Sequence, residues 1–243
     1  MTIINTRFVQ FSRISVSFPP QPSHMSSSRS LQYFLLLSGL HLISLLLLPL
    51  QVAHYTKPLL LPLLLLAAWH VPGLPLRNWL IAALFFSWIG DIVLIFGDKG
   101  ELFFISGLVA FLIAHLCYIV LFHRSAAKLP QIKKQPWWAW VLLPVYLVGL
   151  MALLFPHLGE LKIPVLVYGI VICTMLAAAI RGWSHWSSPT AGWIVVGALS
   201  FILSDSLLAI NKFYMPLPQA PFFIMITYLF AQYGIVRGVT GRL

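Results

Sequence analysis

Residues 102–123 read LFFISGLVAFLIAHLCYIVLFH, twenty-two positions without an acidic residue, a lysine or an arginine. A helix rises 1.5 Å per residue, so this run extends about 33 Å, enough to cross the roughly 30 Å hydrocarbon core of a bilayer. Seven more apolar blocks accompany it, at 32–50, 57–71, 78–97, 137–155, 162–181, 191–211 and 218–237. The fold class expected is all-α, a polytopic bundle of eight transmembrane helices with short loops. The second block is short and opens with Lys57-Pro58. Proline suits a first helical turn, where its missing N–H has no partner to lose.

Composition agrees. The chain has 243 residues, 60% hydrophobic and 8% charged, where soluble domains carry about 25% charged residues. Residues 31–243 read as one eight-span domain. Residues 1–30 hold Arg7, Arg13, Arg29, many serines and Pro19-Pro20 without an apolar run, so a disordered tail is expected and a cleavable signal peptide is not. Met25 is a candidate start, since Ser26 onward leads straight into the first span.

The net charge of +10 would suggest nucleic acid in a soluble protein. Here the basic residues stand singly at span ends, apart from Arg124, Lys128, Lys133 and Lys134, which suits topology control and lipid headgroups rather than nucleic acid. With the N-terminus inside, eleven basic residues fall on the inner side and four on the outer (Lys57, Lys99, Lys162 and Lys212). Both termini are therefore expected in the cytoplasm. Trp137, Trp138 and Trp140 open the fifth span as an interfacial belt would. Cys117 and Cys173 lie in apolar blocks and read as small hydrophobes. No zinc-ligand spacing, phosphate loop or nucleophile elbow is present, so neither a metal nor a cofactor is expected.

The acids divide in two. Asp98, Glu101 and Glu160 sit in short polar connections, whereas Asp91 and Asp205 lie deep in spans three and seven. A mid-span acid costs about 2.5–3.5 kcal/mol on insertion scales. Both spans cross in the same direction, and both acids lie roughly 20 Å from the inner edge. A small residue precedes each, in Ile89-Gly90-Asp91-Ile92-Val93-Leu94 and Leu203-Ser204-Asp205-Ser206-Leu207-Leu208. The other spans match too poorly for an internal repeat to be claimed. Two such acids read as a shared functional centre, with hydrogen bonding between helices, or ion or proton carriage, as the alternatives.

Further polar residues mark candidate positions. Gly107, Phe111, His115 and Tyr118 recur along one face of span four. His115 is either a packing histidine or a partner for an aspartate or a phosphate. Tyr168 lies in span six. Tyr228 and Gln232 form an i,i+4 pair in span eight, which interhelical bonding also explains. Lys57 is either a snorkelling lysine or the contact for an anionic headgroup. Ser204 precedes Asp205, and Asn211 and Lys212 close span seven.

These residues resemble the YhhN family, membrane proteins that include the mammalian lysoplasmalogenases. The resemblance runs from about 31 to 238. It is carried by Thr56-Lys57-Pro58, Gly90-Asp91-Ile92-Val93-Leu94, Gly107 to Phe111, Ala114-His115-Leu116-Cys117-Tyr118 and Tyr168. It continues with Leu203-Ser204-Asp205-Ser206-Leu207-Leu208-Ala209, Lys212-Phe213, Tyr228 and Ala231-Gln232-Tyr233. The resemblance implies hydrolysis of the vinyl ether bond of a 1-alkenyl lysophospholipid. The products would be a fatty aldehyde and glycerophosphoethanolamine or glycerophosphocholine. It maps the essential aspartates onto Asp91 and Asp205. Acid/base chemistry by two carboxyls suits this reaction, by analogy with glycoside hydrolysis. Lys57, His115, Tyr118, Tyr168, Ser204, Asn211, Tyr228 and Gln232 would bind substrate. A proton-coupled carrier using the same acids is the alternative. A bacterial inner membrane is expected, as no sorting signal is evident.

Overall fold

A computed structural model describes residues 24–241, and every regular element among them is helical. The helices are α1 (His24–Leu47), α2 (Leu50–Trp69), α3 (Arg77–Leu94), α4 (Glu101–Ala126), α5 (Ala139–Leu154), α6 (Lys162–Trp183), α7 (Ser188–Ala209) and α8 (Ala220–Thr240). Two short 3₁₀ turns link α5 to α6, and a π-helical segment, Ile210–Tyr214, extends α7. Among the described residues eight helical segments are long and apolar enough to cross a bilayer, α5 with the 3₁₀ turn that follows it.

Most spans lie within a few residues of expectation, and the first two do not. Residues 24–30, which the composition assigned to the tail, are already helical as part of α1. Serine is only modestly less favourable in a helix than the best helix formers, so Ser26 to Ser28 carry no stop signal. Residues 1–23, and so most of the expected tail, lie outside the described residues. At the other end α1 stops at Leu47, because the residue before a proline avoids the helical region and Pro49 follows. Pro49 then caps α2, which starts at Leu50 and not at 57. Pro58 is consequently an interior residue of α2, as is Pro62, and the first-turn reading of Pro58 fails. Pro62 has no N–H to give the carbonyl of Pro58. The indole of Trp88 on α3 takes that place, donating to the Pro58 oxygen at 2.8 Å.

The surface is apolar where lipid would lie, with Leu36, Leu47, Val148 and Ile163 all largely exposed. The interior is built around Phe122, Phe201, Leu84, Leu121 and Trp186. Lipid tails are as apolar as leucine, so helix association depends on close packing of small residues. Helices α7 and α8 meet on glycines. A Cβ on Gly197 would lie 2.9 Å from the Ile235 nitrogen and 3.0 Å from the Ala231 oxygen. Helices α3 and α4 do likewise, as a Cβ on Gly90 would strike the Phe111 ring at 2.6 Å. These crossings bring the Asp-bearing helices α3 and α7 against their neighbours.

Gly197→Val should destabilise the detergent-solubilised protein by about 1–3 kcal/mol, as overpacking does, seen as a lower thermal unfolding midpoint by circular dichroism. Gly192→Ala, where an added Cβ meets nothing within 4 Å, should leave the midpoint unchanged.

Candidate functional site

Asp91 sits in the last turn of α3 and is 2% exposed. Its two oxygens have different partners. The Tyr228 hydroxyl of α8 donates to Oδ2 at 2.6 Å. The Lys57 ammonium of α2 lies 3.3 Å from Oδ1. Lys57 is therefore an interior residue of α2 that faces the acid, not the opening residue at the membrane edge that its sequence position suggested. The clamp is doubled on the same face, since Trp88 bonds Pro58 one turn before Asp91 bonds Lys57.

Behind Tyr228 the hydrogen bonds continue. The Gln232 amide donates to the Tyr228 oxygen at 3.3 Å, and the Tyr118 hydroxyl donates to Gln232 Oε1 at 2.6 Å. Tyr118 and Gln232 are fully buried. The chain Tyr118–Gln232–Tyr228–Asp91 thus points every donor toward the carboxylate. A buried network of this kind is favourable when each member is satisfied.

Asp205 is held differently. The Tyr168 hydroxyl of α6 donates to its Oδ2. His115 Nε2 lies 4.0 Å from the same oxygen, too far for a hydrogen bond. The His115 ring stands edge-on to Phe201 and Tyr168. Among the described residues no lysine or arginine forms an ion pair with Asp205. The next residue, Ser206, bonds the Tyr146 hydroxyl of α5 and the Ile202 carbonyl.

Both acids line one cavity of about 230 Å³. Of the residues singled out in the sequence, Lys57, Ser204, Asn211 and Tyr228 share that wall. Tyr118, Tyr168, His115 and Gln232 stand behind it and reach the cavity through the two acids. Ser204 donates to the Ile224 carbonyl and so braces α7 against α8, while Asn211, in the π-helical segment, accepts the Leu217 amide of the chain leading into α8. The mouth carries Asp98 and Lys212, which lie 3.7 Å apart in an ion pair. Asp98 is fully exposed, so water screens that pair.

Sequence reasoning missed His41 and His54, which also line the cavity. His41 Nδ1 is 2.7 Å from Thr56 Oγ1. The signal was there, since Ser38, His41 and Ser44 recur at three-residue spacing and mark a buried polar stripe on α1. Tyr146 was missed too, because an isolated tyrosine in an apolar helix carries no periodic signal.

Tyr228→Phe and Tyr118→Phe should each cost about 1–3 kcal/mol, because each leaves a buried polar partner unpaired. The check is the thermal midpoint in detergent, with the exposed Tyr33→Phe expected to show no shift.

Residues 52–239 match the model of the YhhN family. Among relatives, the chain is 37% identical over 152 residues to the human protein named Lysoplasmalogenase TMEM86B, covering 62% of this chain and 58% of that one. It is 35% identical over 167 residues to Lysoplasmalogenase TMEM86A of Bos taurus, covering 65% and 63%. It is 36% identical over 140 residues to the lysoplasmalogenase of Mycobacterium tuberculosis, covering 56% and 51%. The matches span between half and two thirds of these relatives' own length. No solved structure matches. A family match over most of the chain, on a bundle of eight span-length helices, establishes that this protein belongs to the YhhN family.

Proposed function

We propose that this protein is a lysoplasmalogenase, an enzyme that uses water to cleave the vinyl ether bond of a 1-alkenyl lysophospholipid. The observation that carries the reading is the placement of two carboxyls, from α3 and α7, on one cavity between apolar helices. The names of the relatives agree with it. Both termini would face the cytoplasm, and the substrate headgroup would sit at the opposite end of the bundle, near Lys212.

The unequal surroundings of the two acids support a division of labour. A cation and a donated O–H stabilise a carboxylate, so Asp91, with Lys57 and Tyr228, is the ionised member. Asp205 has no such cation and is the proton donor. Asp205 protonates the β-carbon of the vinyl ether, and the positive charge settles on the α-carbon and ether oxygen. The Asp91 carboxylate stabilises this oxocarbenium ion and takes a proton from the water that attacks the α-carbon. The resulting hemiacetal collapses. Its ether oxygen leaves with the proton held by Asp91, and its hydroxyl proton returns to Asp205. The products are the aldehyde and the glycerol alcohol, and both carboxyls are restored.

In this scheme Lys57 is the counter-ion of Asp91, and Lys212 takes the phosphate contact. Tyr168, Tyr228, Tyr118, Gln232 and His115 position the two acids. Ser204 and Asn211 shape the cavity wall.

Purified protein should release aldehyde from a lysoplasmenylethanolamine and should leave the ester lysolipid intact. Asp91→Asn and Asp205→Asn should each lower the rate by at least about a hundredfold, the scale of general acid–base catalysis. Normal release by either folded variant would refute the mechanism. Kinetic constants separate the two lysines. Lys57→Met should lower kcat with KM little changed, whereas Lys212→Met should raise KM with kcat little changed. The reverse pattern would return the phosphate to Lys57.

A further inference from the structure

A second concavity lies on the other side of α7. Helix α5 packs chiefly on α6 and leaves a groove of about 810 Å³ between itself, α6 and α7. The volume is within the range of small-molecule sites, about 300–1,000 Å³. Its walls are aliphatic, with Leu142, Leu199 and Leu203 about half exposed along it. From Trp138 to Tyr146 it runs roughly 12 Å at the helical rise, close to the depth of one leaflet of a roughly 30 Å core.

The two ends differ. Tyr146 and Ser206 both line the groove and close its inner end with their hydrogen bond. The other end opens beside Lys134, Trp138 and Trp183. That mouth is pinned in place. The amides of Ile132 and Lys133 both donate to the Ser184 carbonyl, and the Lys133 ammonium reaches Ser188 Oγ at 3.0 Å. All five acidic residues lie elsewhere, as Asp91 and Asp205 line the central cavity and Asp98, Glu101 and Glu160 sit at the opposite end. Among the described residues neither Lys133 nor Lys134 is ion-paired.

We infer that this groove seats one acyl chain of an anionic phospholipid from the leaflet at the basic end, its phosphate on Lys134 and Lys133. An apolar trough of leaflet depth fits the chain, an acid-free basic mouth fits the anionic head, and flanking tryptophans fit the interface. The site is separate from the cavity of the two aspartates and opens at the other end of the bundle. Its inner end touches Ser206, the neighbour of Asp205, so a seated chain holds α5 against the helix that carries the acid. The inference does not depend on the catalytic reading.

The test uses the full chain in phosphatidylcholine nanodiscs. These carry a trace of phosphatidylglycerol with a photoreactive diazirine at mid-chain, and the labelled peptides are mapped by mass spectrometry. Labelling should concentrate on α5 and α7 residues of the groove and exceed that at the lipid-facing Phe85 and Leu116. The choline-headed photolipid and the Lys134→Glu variant should each label the groove at least about fivefold less, as expected for loss of a basic contact to an anionic lipid. Leu199→Trp, which fills the trough from an exposed position, should abolish it. Phosphatidylglycerol should also raise the thermal midpoint of the unaltered protein above its value in pure phosphatidylcholine, a reading that needs no variant to fold. Uniform labelling of all lipid-facing helices, equal labelling by both headgroups, or a groove shielded by a second copy in a dimer would each overturn the inference.

Discussion

A carboxyl group set among apolar helices must find polar partners, because the surrounding lipid offers none. Asp91 shows how far that one demand spreads. It draws Lys57 from α2 and Tyr228 from α8. Tyr228 then takes a bond from Gln232, which takes one from Tyr118 on α4. Four helices are tied together by a single buried acid. The same rule acts on the backbone at the same place, where Pro62 leaves the Pro58 carbonyl without its helical donor and Trp88 supplies one. Lys57 and Pro58 on α2 thus meet Asp91 and Trp88 on α3 as two adjacent clamps.

Asp205 answers the same demand with fewer means. Tyr168 bonds it, His115 stands nearby without bonding it, and no lysine or arginine pairs with it among the described residues. The proposed division of roles rests on this contrast between the acids, since two carboxyls in equal surroundings would offer no ground for one. The halves of the bundle also cross-brace each other. Tyr118 and Gln232, bonded at the centre, are 114 positions apart, the same separation as Asp91 and Asp205. Asp91 of the first half is held from α8, and Asp205 of the second half faces α4.

Charge is sorted along the bundle. The end that holds Arg77, Arg124, Lys128, Lys133, Lys134, Arg181 and Arg237 has no acid, whereas Asp98, Glu101 and Glu160 share the other end with Lys99, Lys162 and Lys212. The cavity with the two acids opens toward the mixed end, and the aliphatic groove toward the basic end. Helix α7 stands between them and presents Asp205 to one and Ser206 to the other, which is what a helical step of about 100° per residue does.

The sequence by itself determined the number of spans, though not the bounds of the first two, because the capacity to cross a bilayer depends on the length and apolarity of each segment alone. It singled out Asp91 and Asp205, because an acid in an apolar run is costly wherever its helix packs. It placed the polar stripe of α4 and the Tyr228–Gln232 pair by helical spacing. The tertiary structure decided what no single segment contains. That Lys57 lies within α2 follows from Pro49, but that it meets Asp91 depends on how α2 and α3 pack. The partner of Pro58, the different company of the two acids, the place of His41 and the gap between α5 and α7 are likewise distances between helices. Local periodicity tells which face of a helix is polar. Only packing, set by glycines such as Gly90 and Gly197, tells which other face it meets.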